Sequence, residues 1–443
     1  MVNFSIIGSV YGSADSFIWP VTLILVLMAL VVFLRVGCDI IHPTVIFLGG
    51  VAACCALDAA VTETWDLPFH FGTAVLMIGI ACAFSAGSVL ATWGIPLRER
   101  IGGFEKGVSL DWRLWMGLIT ISLLCTYLNY REFLGLAFQV TDAGNIKDML
   151  FPVVDAIAHG KVEFSRAYLY RFIFVKCVTY VSFLLVWRNL FCKRYWECAK
   201  WGSLILVYPV IVFFTGGRQQ YLYLVIFLIL SFLLAFRRGS EIGTKTKKEL
   251  SIIGIGLIVF LLFFIGTGII NGKVSGWASS LQVLAHYGGT NVSAFDVYLH
   301  QQVIPETEYI GGCTLAMPWS VLRKFGLELP KYTGYLPDFI DFRFVTTNVY
   351  TAFYRYVRDY GLIGCGFVVF LLGYGYTAAY RLAQRYGWKD WMILVYAASA
   401  FPLFVMGREE RFMNEVIVTQ HFVLLLILVG MNWGVHHLEE RRK

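Results

Sequence analysis

A chain of 443 residues that is 58% hydrophobic and only 15% charged, with a mean hydropathy of +0.68, cannot be a soluble globule wrapped around its own core. In a soluble protein the formal charge of +7 would point to an acidic partner such as nucleic acid; here the placement of charge matters more than its sum. The composition leaves an all-α polytopic membrane protein whose surroundings are the lipid bilayer, with no nucleic-acid partner.

Before the first apolar run the chain carries Asp15 and no Lys or Arg, so that run reads as a retained helix rather than a cleaved signal. Apolar windows of bilayer-crossing length follow near 17–34, 43–60, 70–92, 112–129, 168–190 and 200–215, then near 219–236, 250–270, 361–380, 390–406 and 415–433. This predicts about 11 spans. The connections RERIGGFEK, CKRYWECAK, RRGSEIGTKTKK and RLAQRYGWK and the tail EERRK are basic and alternate with connections poor in Lys and Arg. The N-terminus is therefore expected outside and the C-terminus in the cytoplasm.

Two outer connections, 130–167 and 271–360, are too long for turns and are expected to hold short re-entrant or interfacial helices, an amphipathic one in the first. Of the cysteines only Cys313 falls in a long outer loop, which argues against a disulfide framework or a cysteine metal site. No internal repeat is visible, and residues 1–443 read as one transmembrane domain.

The charge pattern breaks its own rule at TGGRQQ (215–220) and MGREERF (406–412), which put Arg218, Arg408 and Arg411 on the side that short loops keep free of arginine. Arginine near the apolar layer, costing about 2.5–3.5 kcal/mol at a helix centre, needs a partner, and an anionic ligand supplies one. Gly216 and Gly217 allow a tight turn whose N–H groups, with Arg218, suit a phosphate oxygen. The plain alternative is a two-helix turn whose arginine snorkels to headgroups. In GREER, Arg408 and Arg411 flank Glu409 and Glu410, so a self-neutralised cap competes with ligand binding.

Read as a helix, TTNVYTAFYRYVRDYG (346–361) aligns Asn348, Thr351, Arg355 and Asp359 in one polar stripe that Arg358 extends, with Tyr350 and Tyr354 alongside. Its bland reading is an Arg355–Asp359 pair that solvates an interfacial helix. Upstream, 285–300 and 315–330 mix aromatic rings with hydroxyl, amide and carboxylate groups, the mix of a carbohydrate site and equally of an interfacial belt. His286, Asp296 and Trp319 are the candidates there. No second His or acid stands three or four residues from His286, so no metal ligand set is expected, nor any cofactor.

In order, GGR at a helix start, AFDVYL, a Pro-Trp element, TNVYTAFYRYVRDYGLIG and GREERF give a second half that resembles the Wzy-type O-antigen polymerases, the oligosaccharide repeat unit polymerase family. The first half matches only in hydropathy. The resemblance implies a glycosyltransferase of the bacterial inner membrane with its active site facing the periplasm. It would polymerise undecaprenyl-diphosphate-linked oligosaccharide, as donor and acceptor, into O-antigen or a related surface polysaccharide. A Wzz-type chain-length regulator and a Wzx-type flippase are the implied partners. Arg218 and Arg408 match the family's outer-loop arginines, and Asn348, Tyr350, Arg355, Arg358 and Asp359 its helix motif. The acid pair Glu409-Glu410 departs from the pattern.

Transfer from a lipid diphosphate needs stabilisation of growing negative charge on the leaving group, which preorganised arginines supply without a metal. Arg218, Arg355, Arg358 and Arg408, with Asp359 and Glu409, form the expected catalytic set. Gly216, Gly217, His286, Asp296, Trp319, Asn348, Tyr350, Tyr354 and Arg411 form the expected substrate-contacting set. The acceptor hydroxyl also needs a base, and Asp296, Asp359, Glu409 and His286 all qualify. No outer DxD appears; Asp338 and Asp341 in LPDFID are spaced as in a turn. An O-antigen ligase is the nearest rival. A flippase or transporter would want charges at mid-membrane depth, for which Arg171 and Lys176 near the fifth span are the main evidence, whereas the arginine motifs are expected at one face.

Overall fold

The computed structural model describes residues 17–95, 106–158, 161–215, 219–238, 251, 253–256, 258, 277–300, 310–327, 339–342 and 345–441. Eight of its helices are long and apolar enough to cross a membrane, the make-up of an all-α polytopic membrane protein. They coincide with expected spans: α1 (Ile18–Arg35), α2 (Pro43–Trp65), α3 (Phe71–Gly94), α6 (Arg166–Phe191), the broken pair α7 (Tyr195–Ile205) and α8 (Val207–Phe213), α9 (Gln219–Arg237), α12 (Ala352–Arg385) and α15 (Thr419–Glu440).

The remaining three expected spans differ. Residues 112–129 lie inside α4 (Trp112–Val140), a helix of 29 residues that is not among the eight apolar enough to count as spans. The 390–406 span is two short pieces, α13 (Asp390–Ser399) and α14 (Pro402–Val405), broken where Pro402 starts a new helix. Most of 250–270 lies outside the described residues. Where outer connections were expected, the chain forms α5 (Ile146–Ala158), α10 (Trp277–His300) and α11 (Ala316–Lys324). A two-residue hairpin follows, β1 (Ile340–Asp341) antiparallel to β2 (Thr346–Thr347).

The helices belong to two compact units: residues 1–97, 281–385 and 400–421 in one, residues 98–280, 386–399 and 422–443 in the other. In the first, α3 and α12 lie backbone to backbone. A Cβ at Gly87 would fall 2.1 Å from the Phe370 carbonyl oxygen, and one at Gly373 2.2 Å from that of Phe84. Small residues permit this approach, as in helix pairs within lipid, where packing replaces the hydrophobic effect.

Phe353 also reaches this level: its ring is 6.3 Å from that of Phe47, which stacks on Phe84 at 4.0 Å. In a straight helix Phe353 and Gly373, 20 residues apart, would be separated by about 30 Å. The chain instead folds back at Gly361, whose φ of 68° and ψ of −177° are open to glycine alone. The 352–360 turns therefore return into the helical layer.

In the second unit, α5 packs Met149, Leu150 and Val153 on Phe133 and Ala137 of α4. Ser165 caps α6 by accepting the Tyr168 N–H at 3.1 Å. Arg171 is held by Asn129 and Glu132 of α4, each at 2.6 Å. Asp390, at the start of α13, accepts from Arg188 at 2.6 Å, from Arg238, and meets Nε2 of His436 at 3.0 Å.

Candidate functional site

Two returning segments of the first unit meet at the arginine motifs. The Ala352 N–H donates to the Met406 carbonyl at 2.9 Å, tying the start of α12 to the end of α14. Just beyond, Gly407 is wedged against α2, where a Cβ would come within 3.0 Å of Cys54 Sγ and Val51 Cα. Arg408 therefore leaves the chain beside the midpoint of α2.

Around Glu409 the cations converge. Arg411 donates to its carboxylate, and Arg408 Nη2 lies 3.4 Å away. Burial works against the charge on Glu409, but Arg408 and Arg411, with Arg355 further off, outweigh it and hold the carboxyl below its ordinary range. Glu410 goes the other way. The residue is 4% exposed, and burial raises its pKa despite the hydrogen bonds its carboxylate accepts. Those come from Tyr356 at 3.2 Å and from the N–H groups of Met413 at 2.7 Å and Asn414 at 3.2 Å. Glu410 thus caps the π-helical turn Phe412–Val416, a local form that recurs at functional positions. The adjacent acids separate into a charged partner for arginine and a backbone cap.

The second half of the site is carried by α12. Arg355 Nη1 donates to the Cys313 carbonyl at 3.2 Å, and buried Arg358 donates to the Tyr354 hydroxyl at 2.7 Å. Both of these acceptors are neutral oxygens. Tyr354 stacks on Tyr350 at 4.4 Å and meets the edge of Tyr298 at 4.5 Å, making a wall of three rings behind Arg358. His286, on α10, is pushed below the usual histidine value by burial and then by Arg408, which leaves it neutral at pH 7.

Several expected roles change. The polar stripe starts too early: the helix begins at Ala352, so Asn348 and Thr351 precede it, in the segment that leaves β2. Asp359 makes no pair with Arg355. Its carboxylate accepts from the N–H of Cys313 at 3.0 Å and from the N–H and hydroxyl of Thr314 at 2.8 and 2.6 Å, anchoring the 311–315 turn. Burial and this carboxylate push the Cys313 thiol up to about 11. Asp296 is likewise consumed by donors from His70 and Thr73, which removes it as a base. Trp319 is half-buried on α11. Gly216, Gly217, Arg218 and Asp338 lie outside the described residues.

Against the expectation of no metal ligand set, His70, Asp296 and His300 come together. The sequence carried half the signal: Asp296 and His300 stand four apart on one helix face, while His70 lies 226 residues from Asp296. Compared with protein-family models, curated proteins and solved structures, the chain matches none.

Proposed function

We propose that the chain is a membrane glycosyltransferase that polymerises undecaprenyl-diphosphate-linked oligosaccharide repeats on the outer face of a bacterial inner membrane. One observation carries the reading: Arg408 and Arg411 close on Glu409, while Arg355 and Arg358, with the tyrosine wall, lie together on α12. Planar guanidinium groups gathered in a partly desolvated site suit a diphosphate whose charge grows as the sugar departs. No step at these arginines calls for a metal. With Asp296 and Asp359 engaged elsewhere and Glu409 paired to arginine, neutral His286 beside Arg408 is the best placed base for the acceptor hydroxyl.

The deciding experiment is the glycan ladder of variants at matched protein level. Arg355→Ala and Arg408→Ala lower polymerisation by roughly a hundred- to a thousandfold, leaving single repeat units on lipid. Arg→Lys rescues only in part, because an ammonium lacks the planar fork that grips two phosphate oxygens. Normal ladders in both Ala variants sink the reading. An eleven-span topology with the N-terminus outside belongs to the same proposal: reporter fusions at Gln384 and at Glu410 are expected to report cytoplasm and exterior, respectively. Both reporting the same side would undo the site's orientation.

Transport of lipid-linked oligosaccharide is a second reading, favoured by the position of Arg408 beside the midpoint of α2, where charge lines a path. Repeats that accumulate on the cytoplasmic side in the Arg408→Ala strain would favour it over polymerisation.

A further inference from the structure

The second unit carries a basic surface that the proposed reaction does not use, where the chain leaves α6 and enters α7. The helix α6 closes in a Schellman turn: the Arg194 N–H donates to the Asn189 carbonyl at 2.9 Å and the Lys193 N–H to that of Leu190 at 3.1 Å. Glycine usually takes the left-handed position of such a turn, but here it is Lys193, with φ at 58°. The segment that leads into α4 is stitched onto this turn. Asn189 accepts the Val108 N–H and donates to the Val108 carbonyl, both at 2.9 Å. Arg188 Nε donates to the Lys106 carbonyl at 2.7 Å, and Arg194 Nη1 to that of Gly107 at 3.0 Å.

Lys106, Arg113, Lys193 and Arg194 stand exposed on this frame. Among the described residues none of the four is in an ion pair, and the two lysine side chains make no hydrogen bond. Arg113 lies over the Trp112 ring at 5.9 Å. The acids of these segments are engaged elsewhere: Asp111 accepts the Arg113 N–H at 2.9 Å as the cap of α4, while Glu197 accepts the Leu110 N–H at 2.7 Å and pairs with Lys200 at 2.8 Å. Beside the cations, Trp112, Tyr195 and Trp196 are 65, 66 and 76% exposed. The helix α6 is long and apolar enough to cross a membrane and ends at Phe191, two residues before Lys193. The cations and rings therefore fall at headgroup level, where amphipathic rings settle and phosphate groups lie.

We propose that this surface binds an anionic phospholipid. Its phosphate oxygens meet Lys106, Arg113, Lys193 and Arg194, and its glycerol region lies against Trp112, Tyr195 and Trp196. Lipid is favoured over a soluble acidic partner because the rings stand out from the end of a helix able to cross the membrane. The assignment is independent of the glycosyltransferase reading.

The test offers phosphatidylglycerol or phosphatidylcholine, one at a time, to delipidated full-length protein in detergent and counts bound lipid by native mass spectrometry. Wild type is expected to prefer phosphatidylglycerol. Each cation near an anionic headgroup is worth about fivefold in affinity, so Arg113→Gln weakens phosphatidylglycerol about fivefold and Lys106→Gln/Lys193→Gly about 25-fold, with phosphatidylcholine uptake unchanged. The thermal midpoint of the lysine variant controls for folding and is expected to hold or rise, because glycine suits the left-handed turn. Equal uptake of the two lipids by wild type, or a phosphatidylglycerol preference undiminished in the lysine variant, overturns the proposal. So does poly-glutamate bound by wild type, lost in the lysine variant and not displaced by phosphatidylglycerol, a result that reassigns the surface to an acidic protein.

Discussion

Arginine is used in two opposite ways in the two units. In the second, Arg188 and Arg238 close on the two oxygens of buried Asp390, with His436 as a third donor-side neighbour, so the charges end on one another. In the first, Arg355 and Arg358 are steered by a backbone carbonyl and a phenol, and Arg408 and Arg411 share Glu409. A guanidinium locked onto a buried carboxylate is a clamp. One aimed by a carbonyl or a phenol is oriented by an acceptor that carries no charge of its own.

That contrast can be broken most forcefully at Asp390. Asp390→Asn leaves two arginines without their counter-charge and is expected to cost about 3–5 kcal/mol of stability, read as a lowered thermal midpoint and abundance in detergent. Ladder length per molecule should not change. Arg408→Ala is the mirror case, with the hundred- to thousandfold loss of polymer described above and a midpoint near that of wild type. If the two variants exchange phenotypes, the division of labour is wrong.

Glu409 offers the smallest and most discriminating effect. Its pKa in the folded chain lies below the ordinary carboxylate value of about 4.3, so its pairing stabilises fully above that value and is lost as pH falls through the lowered one. Glu409→Gln should be somewhat less stable at pH 7 and show a flatter midpoint-against-pH curve at the acid end. A curve parallel to wild type would mean that Glu409 is not charged by its arginines.

The spans were legible because lipid demands long apolar runs, and eight runs became such helices. That Arg408 would lie beside α2 was not legible, because its place depends on the break at Pro402 and the close approach of Gly407 to Val51 and Cys54. Asp359 was misread for a different reason. Its spacing from Arg355 suggested a pair, yet the turn at Cys313 and Thr314, 46 residues away, offered N–H donors that a helix stripe cannot reveal. Likewise, the His70 partner of Asp296 is too distant in sequence for any spacing argument.

The discontinuity of the first unit also has a consequence in time. Its opening piece ends at Leu97 and its next begins at Leu281, so residues 98–280, 183 in all, are made in between. At about 5–20 residues per second the ribosome takes roughly 10–40 s over them. During that interval α1, α2 and α3 stand in the bilayer with the surfaces meant for α10 and α12 facing lipid. Gly87 waits for the Phe370 backbone and Asp58 for the Ser293 N–H that it finally accepts at 2.8 Å. The nascent protein thus carries a buried-to-be carboxylate through half its synthesis, and insertion factors or headgroup water must solvate it until the second half arrives.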